Sequence, residues 1–194
     1  SAAAQCYIRA GEKANVSDAY KCRVRSPWWR VPLVELPDLF LTYMNHDRPR
    51  LVANTAKLQI INSIYGVRLI NGRRGIGRDL LPVASLNSVT LLGAEIVGRA
   101  YGGGLLKMEP READLLPVPS LDHIRSVERE LRAIKPQLAK HLRHGDVEAA
   151  VQCIDSILLA GVSNNDLRAL REARDVLFQR RRARGKNGED RRSS

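Results

Sequence analysis

Cysteine is scarce: Cys6, Cys22 and Cys153 are odd in number and widely spaced. Neither a disulfide framework nor a paired-cysteine zinc site is indicated, and a reducing, cytoplasmic setting is expected. Aromatic residues make up only 5% of the chain, too few for a platform on which single-stranded bases would stack, so a duplex fits better. No apolar run approaches the ~18 residues of a membrane span, and Ala2 to Ala4 is too short for a signal-peptide core. No membrane partner is expected. His46, His123, His141 and His144 are scattered, without an HExxH pattern or a carboxylate pair, so no metal site and no catalytic residue is assigned.

What is abundant is positive charge. The 194 residues carry 32 Lys and Arg against 21 Asp and Glu, a formal charge of +11, with 44% hydrophobic residues to build a core. Residues 1–119 hold 16 basic and 10 acidic side chains, residues 120–179 hold 9 of each, and residues 180–194 hold 7 and 2. A charge-balanced middle between basic ends suggests a structural bundle joined to a surface that faces a polyanion, because Lys and Arg gain affinity for phosphate through counterion release.

The hydrophobic period changes along the chain. Residues 1–26 show none that is sustained, which predicts a loop or a weakly paired edge strand. In WWRVPLVELPDLFLTY (residues 28–43) β-formers are punctuated by Pro32 and Pro37, so short strands are expected, the best over Leu39 to Met44. Further short strands are expected over Arg50 to Ala53 and Ile64 to Ile70, the second ending at the turn dipeptide Asn71, Gly72. NGRRGIGR (residues 71–78) lacks the spacing of a nucleotide-binding loop and reads as a flexible basic loop offering Arg73, Arg74 and Arg78 to a DNA backbone. A helix capped by Ser85 is expected to carry Leu86, Val89, Leu92, Ile96 and Val97. Gly102 is expected to close it, followed by a short strand from Leu105 to Met108 and a Pro-Arg-Glu turn.

Beyond Pro119 the period is helical. Ser120 caps a segment carrying Ile124, Val127, Leu131, Ile134 and Leu138, with a bend expected at Pro136. Asp146 opens a second helix with Val147, Ala150, Val151, Ile154, Ile157 and Leu158, stopped by Gly161. Ser163 and Asp166 resemble a capping box that opens a third, with Leu167, Leu170, Ala173 and Leu177. RRRARGKNGEDRRSS (residues 180–194) has too few apolar residues to fold. Trp28 and Trp29 read as packing residues rather than as a wedge between bases.

Three strings in order, PDLFLTYMNHDRPRLVAN, NSIYGVRL and LNSVTLLGAEIVGRAYGGGLLKMEPREADLLPVPS, resemble the C-terminal target-recognition region of adenine-specific (N6) DNA methyltransferases of restriction-modification systems. The likeness covers roughly residues 23–185. It fits double-stranded DNA as partner, and the hydrophobic pattern and charge count predict an α+β fold: a small β-rich recognition domain with a long helix (residues 1–119), a bundle of about three helices (120–180) and a disordered basic tail (181–194). The likeness also implies methyl transfer from S-adenosylmethionine to a flipped adenine, which needs a Gly-rich cofactor motif and an Asn/Asp-Pro-Pro-Tyr/Phe motif. The chain has neither and starts with Ser1, so the catalytic domain is expected upstream in a parent protein or on a separate chain. The alternative is a stand-alone specificity subunit that pairs with catalytic chains through its charge-balanced helices. On that footing Arg48 and Arg50 are candidates for bidentate contacts to guanine, and Asn54 and Asn62 for an adenine edge. Arg68, Arg73, Arg74, Arg78 and Lys107 are candidates for phosphates.

Overall fold

The structure, a computed structural model, describes residues 1–31, 35–60, 62–70 and 73–190, with side chains described as far as Arg184. The chain divides into two compact units, Ser1–Glu35 and Leu36–Ser194. The first is helical where a loop or edge strand is expected. Helix α1 (Ala2–Lys13) is capped by Ser1, whose Oγ accepts from the Ala4 amide. Alanines at positions 2–4 and 10 favour it, and its lack of apolar period has a simple counterpart: none of its residues is buried. A short 3-10 turn (Val16–Asp18) leads to α2 (Tyr20–Arg23). Trp28 packs over Gly11, where an added Cβ would lie 2.8 Å from the indole, and its Nε1 donates to Glu12 at 3.2 Å. It is a packing residue, as its composition suggests. Strands expected around Pro32 fall partly outside the described residues.

The second unit is α+β, as the hydrophobic pattern predicts, with two three-stranded antiparallel sheets. In one, β1 (Leu39–Leu41) lies between β3 (Leu51–Ala53) and β4 (Tyr65–Val67), pairing Phe40 with Val52 and with Gly66. In the other, β6 (Leu105–Lys107) lies between β2 (Met44–Asn45) and β5 (Arg99–Tyr101). The run Leu39 to Met44 is therefore not one strand. It breaks after Leu41, and the two pieces serve different sheets. Thr42 marks the break: its amide still donates to the Arg50 carbonyl, while its hydroxyl turns to Asn45 at 2.5 Å.

The expected basic loop is instead the start of α3 (Arg74–Ala84), whose Leu80, Leu81 and Ala84 are buried. Asn71 and Gly72 lie outside the described residues. Burial of the Leu80–Leu81 pair rewards helix from Arg74 onward, at about 1.5–3 kcal/mol per buried leucine, and this outweighs two glycines in its first turns. Helix α4 (Ser88–Val97) begins at Asn87 rather than Ser85: Asn87 Oδ1 accepts from the Thr90 amide at 2.9 Å. It ends at Gly98, so Gly102 does not close it; strand β5 intervenes and Gly102–Gly104 forms a 3-10 turn. The Pro-Arg-Glu turn is a short helix, α5 (Pro110–Asp114), with proline at its first position.

The C-terminal helices follow their periodicity. Ser120 caps α6 (Leu121–Ser126), and the break before α7 (Glu128–Arg143) falls at Val127, with Pro136 accommodated inside α7. Asp146 caps α8 (Val147–Leu158). Ser163 and Asp166 cap α9 (Asn164–Asp190), which continues through the first ten residues of the expected unfolded tail. The main core takes Leu39 from the first sheet, Leu80, Leu81 and Ala84 from α3, and Ile124, Leu131, Leu138, Ala150, Ile154 and Leu158 from α6 to α8. A smaller cluster of Ala94, Leu106 and Met108 joins α4 to the second sheet. Among the described residues no single helix is long and apolar enough to cross a membrane.

Candidate nucleic-acid interface

The loop from Thr42 to Arg50 connects the two sheets and carries the first pair of candidate arginines. Its ends are tied by the backbone and by Thr42, whose Oγ1 accepts from the Arg50 amide at 2.8 Å. Asn45, fully buried, donates through Nδ2 to the carbonyls of Thr42 (3.1 Å) and Leu106 (3.4 Å). Asp47 is the acid of the loop and serves two arginines, Arg48 and Arg50, the latter at 2.9 Å. Burial lowers the affinity of the Arg48 guanidinium for its proton; Asp47 opposes this, while Arg50 and Arg174 add to it. Arg48 also walls two clefts of about 400 and 440 Å³, one bounded by α4, α8 and α9, the other by the first sheet and the end of α3.

The second pair lies one turn apart on α3. Arg74 and Arg78 both reach Asp38, Arg78 through Nη2 at 2.6 Å and Arg74 through Nε at 3.6 Å. Asp38 is only 5% exposed, whereas the arginine side chains remain 54% and 46% exposed. Burial raises the Asp38 pKa, but the hydrogen bonds from Arg78 and the Leu69 amide, with the charges of Arg74 and Arg78, outweigh it and leave the carboxyl below its ordinary value. Arg73, just before the helix, is exposed and has no side-chain partner among the described residues.

The remaining candidates are distributed differently. Asn54 is buried at 5% exposure and its amide is fully engaged: Nδ2 donates to Pro37 and Leu58 carbonyls, and Oδ1 accepts from the Leu58 amide at 2.8 Å. It closes the turn after β3 and presents no free edge to a base. Asn62 and Arg68 are exposed, Asn62 beside Ser63 and Arg68 with an interaction partner of its own. Lys107 contacts Glu109 at 2.5 Å and lies over the Tyr101 ring; the hydrogen bond from the ammonium to Glu109 raises its pKa.

Reading by residue type misses the acids. Asp38 and Asp47 organise both arginine pairs, and each neutralises only one unit of charge while facing two arginines. One surplus positive charge stands at each site, with Arg73 beyond them. Two further buried carboxylates each hold one arginine, Arg181 in the interior and Arg171, 31% exposed, at its edge. Asp155, fully buried, accepts from the Ser88 amide (2.8 Å) and hydroxyl (2.6 Å) and from Arg171 (2.7 Å). Glu95 receives Arg181 in a two-toothed contact at 2.7 and 2.9 Å, both side chains being under 5% exposed. The available signal for Arg181 was its spacing: Leu170, Leu177 and Phe178 carry the period of α9 to it. Among the described residues no group of three or more His, Cys, Asp and Glu is arranged to hold a metal ion.

A family model described as the C-terminal domain of Type II methyltransferase M.Eco57I matches residues 1–159. Type II methyltransferase M.XamI of Xanthomonas campestris pv. amaranthicola is 33% identical over 109 residues, which are 55% of this chain and 19% of that relative. The chain thus spans about a fifth of the length of the curated relative it matches. No solved structure matches it.

Proposed function

Since the chain belongs to the family of the M.Eco57I methyltransferase C-terminal domain, we propose that it is the DNA target-recognition portion of a site-specific N6-adenine methyltransferase. The cofactor, S-adenosylmethionine, and the catalytic residues are assigned to a domain outside this chain. The observation that carries the reading is the surplus of arginine at Asp38 and Asp47, two acids facing four arginines. Phosphate or a guanine edge offers the half-exposed guanidiniums of Arg50, Arg74 and Arg78 the same planar pair of acceptors that the carboxylate does. Arg73, Arg74 and Arg78, with Arg68 and Lys107, are assigned to the DNA backbone. Arg48, Arg50 and Asn62 are assigned to bases; Asn54 is assigned to the fold.

The test is binding of the whole chain to duplex DNA as salt is varied, together with selection from a pool of randomised duplexes. Replacing both Arg73 and Arg74 by Ala is expected to reduce the slope of log affinity against log salt by about 1.8, two released counterions at ~0.9 each, without altering the selected sequence. Arg50→Ala is expected to relax the selected sequence at one position, at about 1–3 kcal/mol of discrimination. An unchanged salt slope removes the phosphate assignment, and an unchanged selected sequence removes the base assignment.

A further inference from the structure

Helix α9 lies beyond the stretch that matches the family, residues 1–159, yet it enters the joint between the two sheets. Two of its arginines, ten residues apart, grip the two ends of α4: Arg171 through Asp155 and Ser88, Arg181 through Glu95 in the last turn. The helices run in the same direction, and Gly104 makes room for α9, since a Cβ there would lie 3.1 Å from the Arg182 backbone. Arg181 does more than pair with Glu95. Its Nη1 donates to the carbonyl of His46 at 3.2 Å and to the carbonyl of Gly104. These two residues follow β2 and precede β6, so their carbonyls stand where the β2–β6 ladder has run out.

We propose that Arg181 is a positioning residue that sets the place of the His46–Arg50 turn and so the sequence selectivity of Arg48 and Arg50; this rests on the DNA-reading function above. The physical reason lies in which ties are internal. The Asp47 contacts to Arg48 and Arg50, and the Thr42 contact to the Arg50 amide, join one part of the loop to another. The ties of β2 and Asn45 to β6 end at residue 45, and beyond it these contacts fix the turn's shape and travel with it. Arg181 reaches the middle of the loop from α9, and it is itself fixed by Glu95 of α4. Contacts to base edges demand placement within roughly 0.5 Å, whereas phosphate attraction is long-ranged and tolerates displacement. Loss of the tie therefore falls on selectivity rather than on total DNA affinity.

The experiment compares the wild-type chain with a double variant, Arg181→Met with Glu95→Leu, which removes both buried charges together and so avoids stranding either one. Hydrogen exchange of the loop amides is read beside selection from the randomised duplex pool and affinity for unselected duplex. In the double variant, amides of residues 46–48 and 50 are expected to exchange at least about tenfold faster while those of α7 and α8 are unchanged. Affinity for unselected duplex should stay within about twofold, and the preference for the selected sequence should fall at least tenfold, one wrong base contact's worth of discrimination. If the double variant does not fold, Arg181→Lys carries the same readouts, because a compact ammonium cannot span the positions from which Nε, Nη1 and Nη2 reach Glu95, His46 and Gly104. Unchanged loop exchange overturns the tie, and faster exchange with full selectivity overturns its role in reading. Should the wild type select no sequence, the DNA-reading function fails and takes the selectivity role with it, while the exchange result still decides the tie.

Discussion

The arginines at Asp38 and Asp47 and those at Asp155 and Glu95 use the same chemical pair for opposite ends. At the first two sites one carboxylate serves two guanidiniums, of which Arg50, Arg74 and Arg78 keep about half of their surface in water while Arg48, 12% exposed, is the buried member. At the second two, one guanidinium meets one carboxylate and the remaining donors and acceptors go to a serine, an amide and two carbonyls. An exposed pair gains little and exchanges partners readily. A buried pair is costly to break because its partner is left charged in a poor solvent. The basic excess of the sequence is thus two populations, one available to a polyanion and one fixed in the joint between sheets and helices.

The sharpest way to break this comparison is to remove one acid of the buried kind and one arginine of the exposed kind. Asp155→Ala strands the Ser88 amide and hydroxyl together with Arg171, and is expected to lower unfolding free energy by about 3 kcal/mol. Arg74→Ala, whose contact with Asp38 is long and half-exposed, is expected to stay within about 0.5 kcal/mol. Urea titration measures both. Equal losses would dissolve the distinction.

A smaller effect separates two adjacent glycines. Gly103 and Gly104 have nearly the same left-handed backbone, φ +71° and +72°, but nothing lies within 4 Å of a Cβ at Gly103. Replacement of either by Ala carries the conformational cost, about 1 kcal/mol. Gly104→Ala must in addition displace α9 at Arg182, adding about 1 kcal/mol more. The same urea titration, comparing the two variants, isolates the packing of α9 against the turn. Equal costs would mean that α9 does not constrain this joint.

These contrasts explain what could be seen in the sequence. The C-terminal helices were legible because their apolar residues recur at helical spacing and their caps, Ser120, Asp146 and Ser163, stand just before them. The short strands were legible as β-formers between turn signals, but not their division: nothing local states that Leu41 and Met44 serve different sheets. The start of α3 is hidden because three glycines and an Asn-Gly turn signal mask the helix-favouring arginines of NGRRGIGR, and tertiary burial of Leu80 and Leu81 decides it. Residue type marks the candidate arginines but cannot tell an arginine facing half an acid from one facing a whole acid. Asn54 shows the same limit, since its side chain suits an adenine edge and a tight turn equally well. Arg181 was hidden most deeply, inside a run of arginines whose composition reads as unfolded.

The mildest test concerns acid pH at Asp38. Burial disfavours its charge, yet the hydrogen bonds and charges of Arg78, the Leu69 amide and Arg74 outweigh burial and hold its pKa below the ordinary 3.8. A carboxyl with a depressed folded pKa binds fewer protons folded than unfolded, so its stabilisation is complete above 3.8 and disappears as pH falls through the lower, folded value. Asp79, lowered chiefly by its hydrogen bond from Lys135, and Glu112, where Arg99 overcomes burial, titrate in the same acid range. Total stability cannot separate them, but the difference between wild type and Asp38→Asn can. That difference is expected to be about 1 kcal/mol, the worth of a charge-assisted hydrogen bond shared with half-exposed arginines. It should be constant between pH 7 and roughly pH 5 and should shrink below pH 4. Because Asp38 is buried, moderate salt should change it little, whereas the DNA affinity contributed by Arg74 and Arg78 should fall steeply with salt. A difference that grew on acidification would reverse the sign of the balance between burial and arginine at this site. It would also return Arg74 and Arg78 to the set of unpaired surface charges.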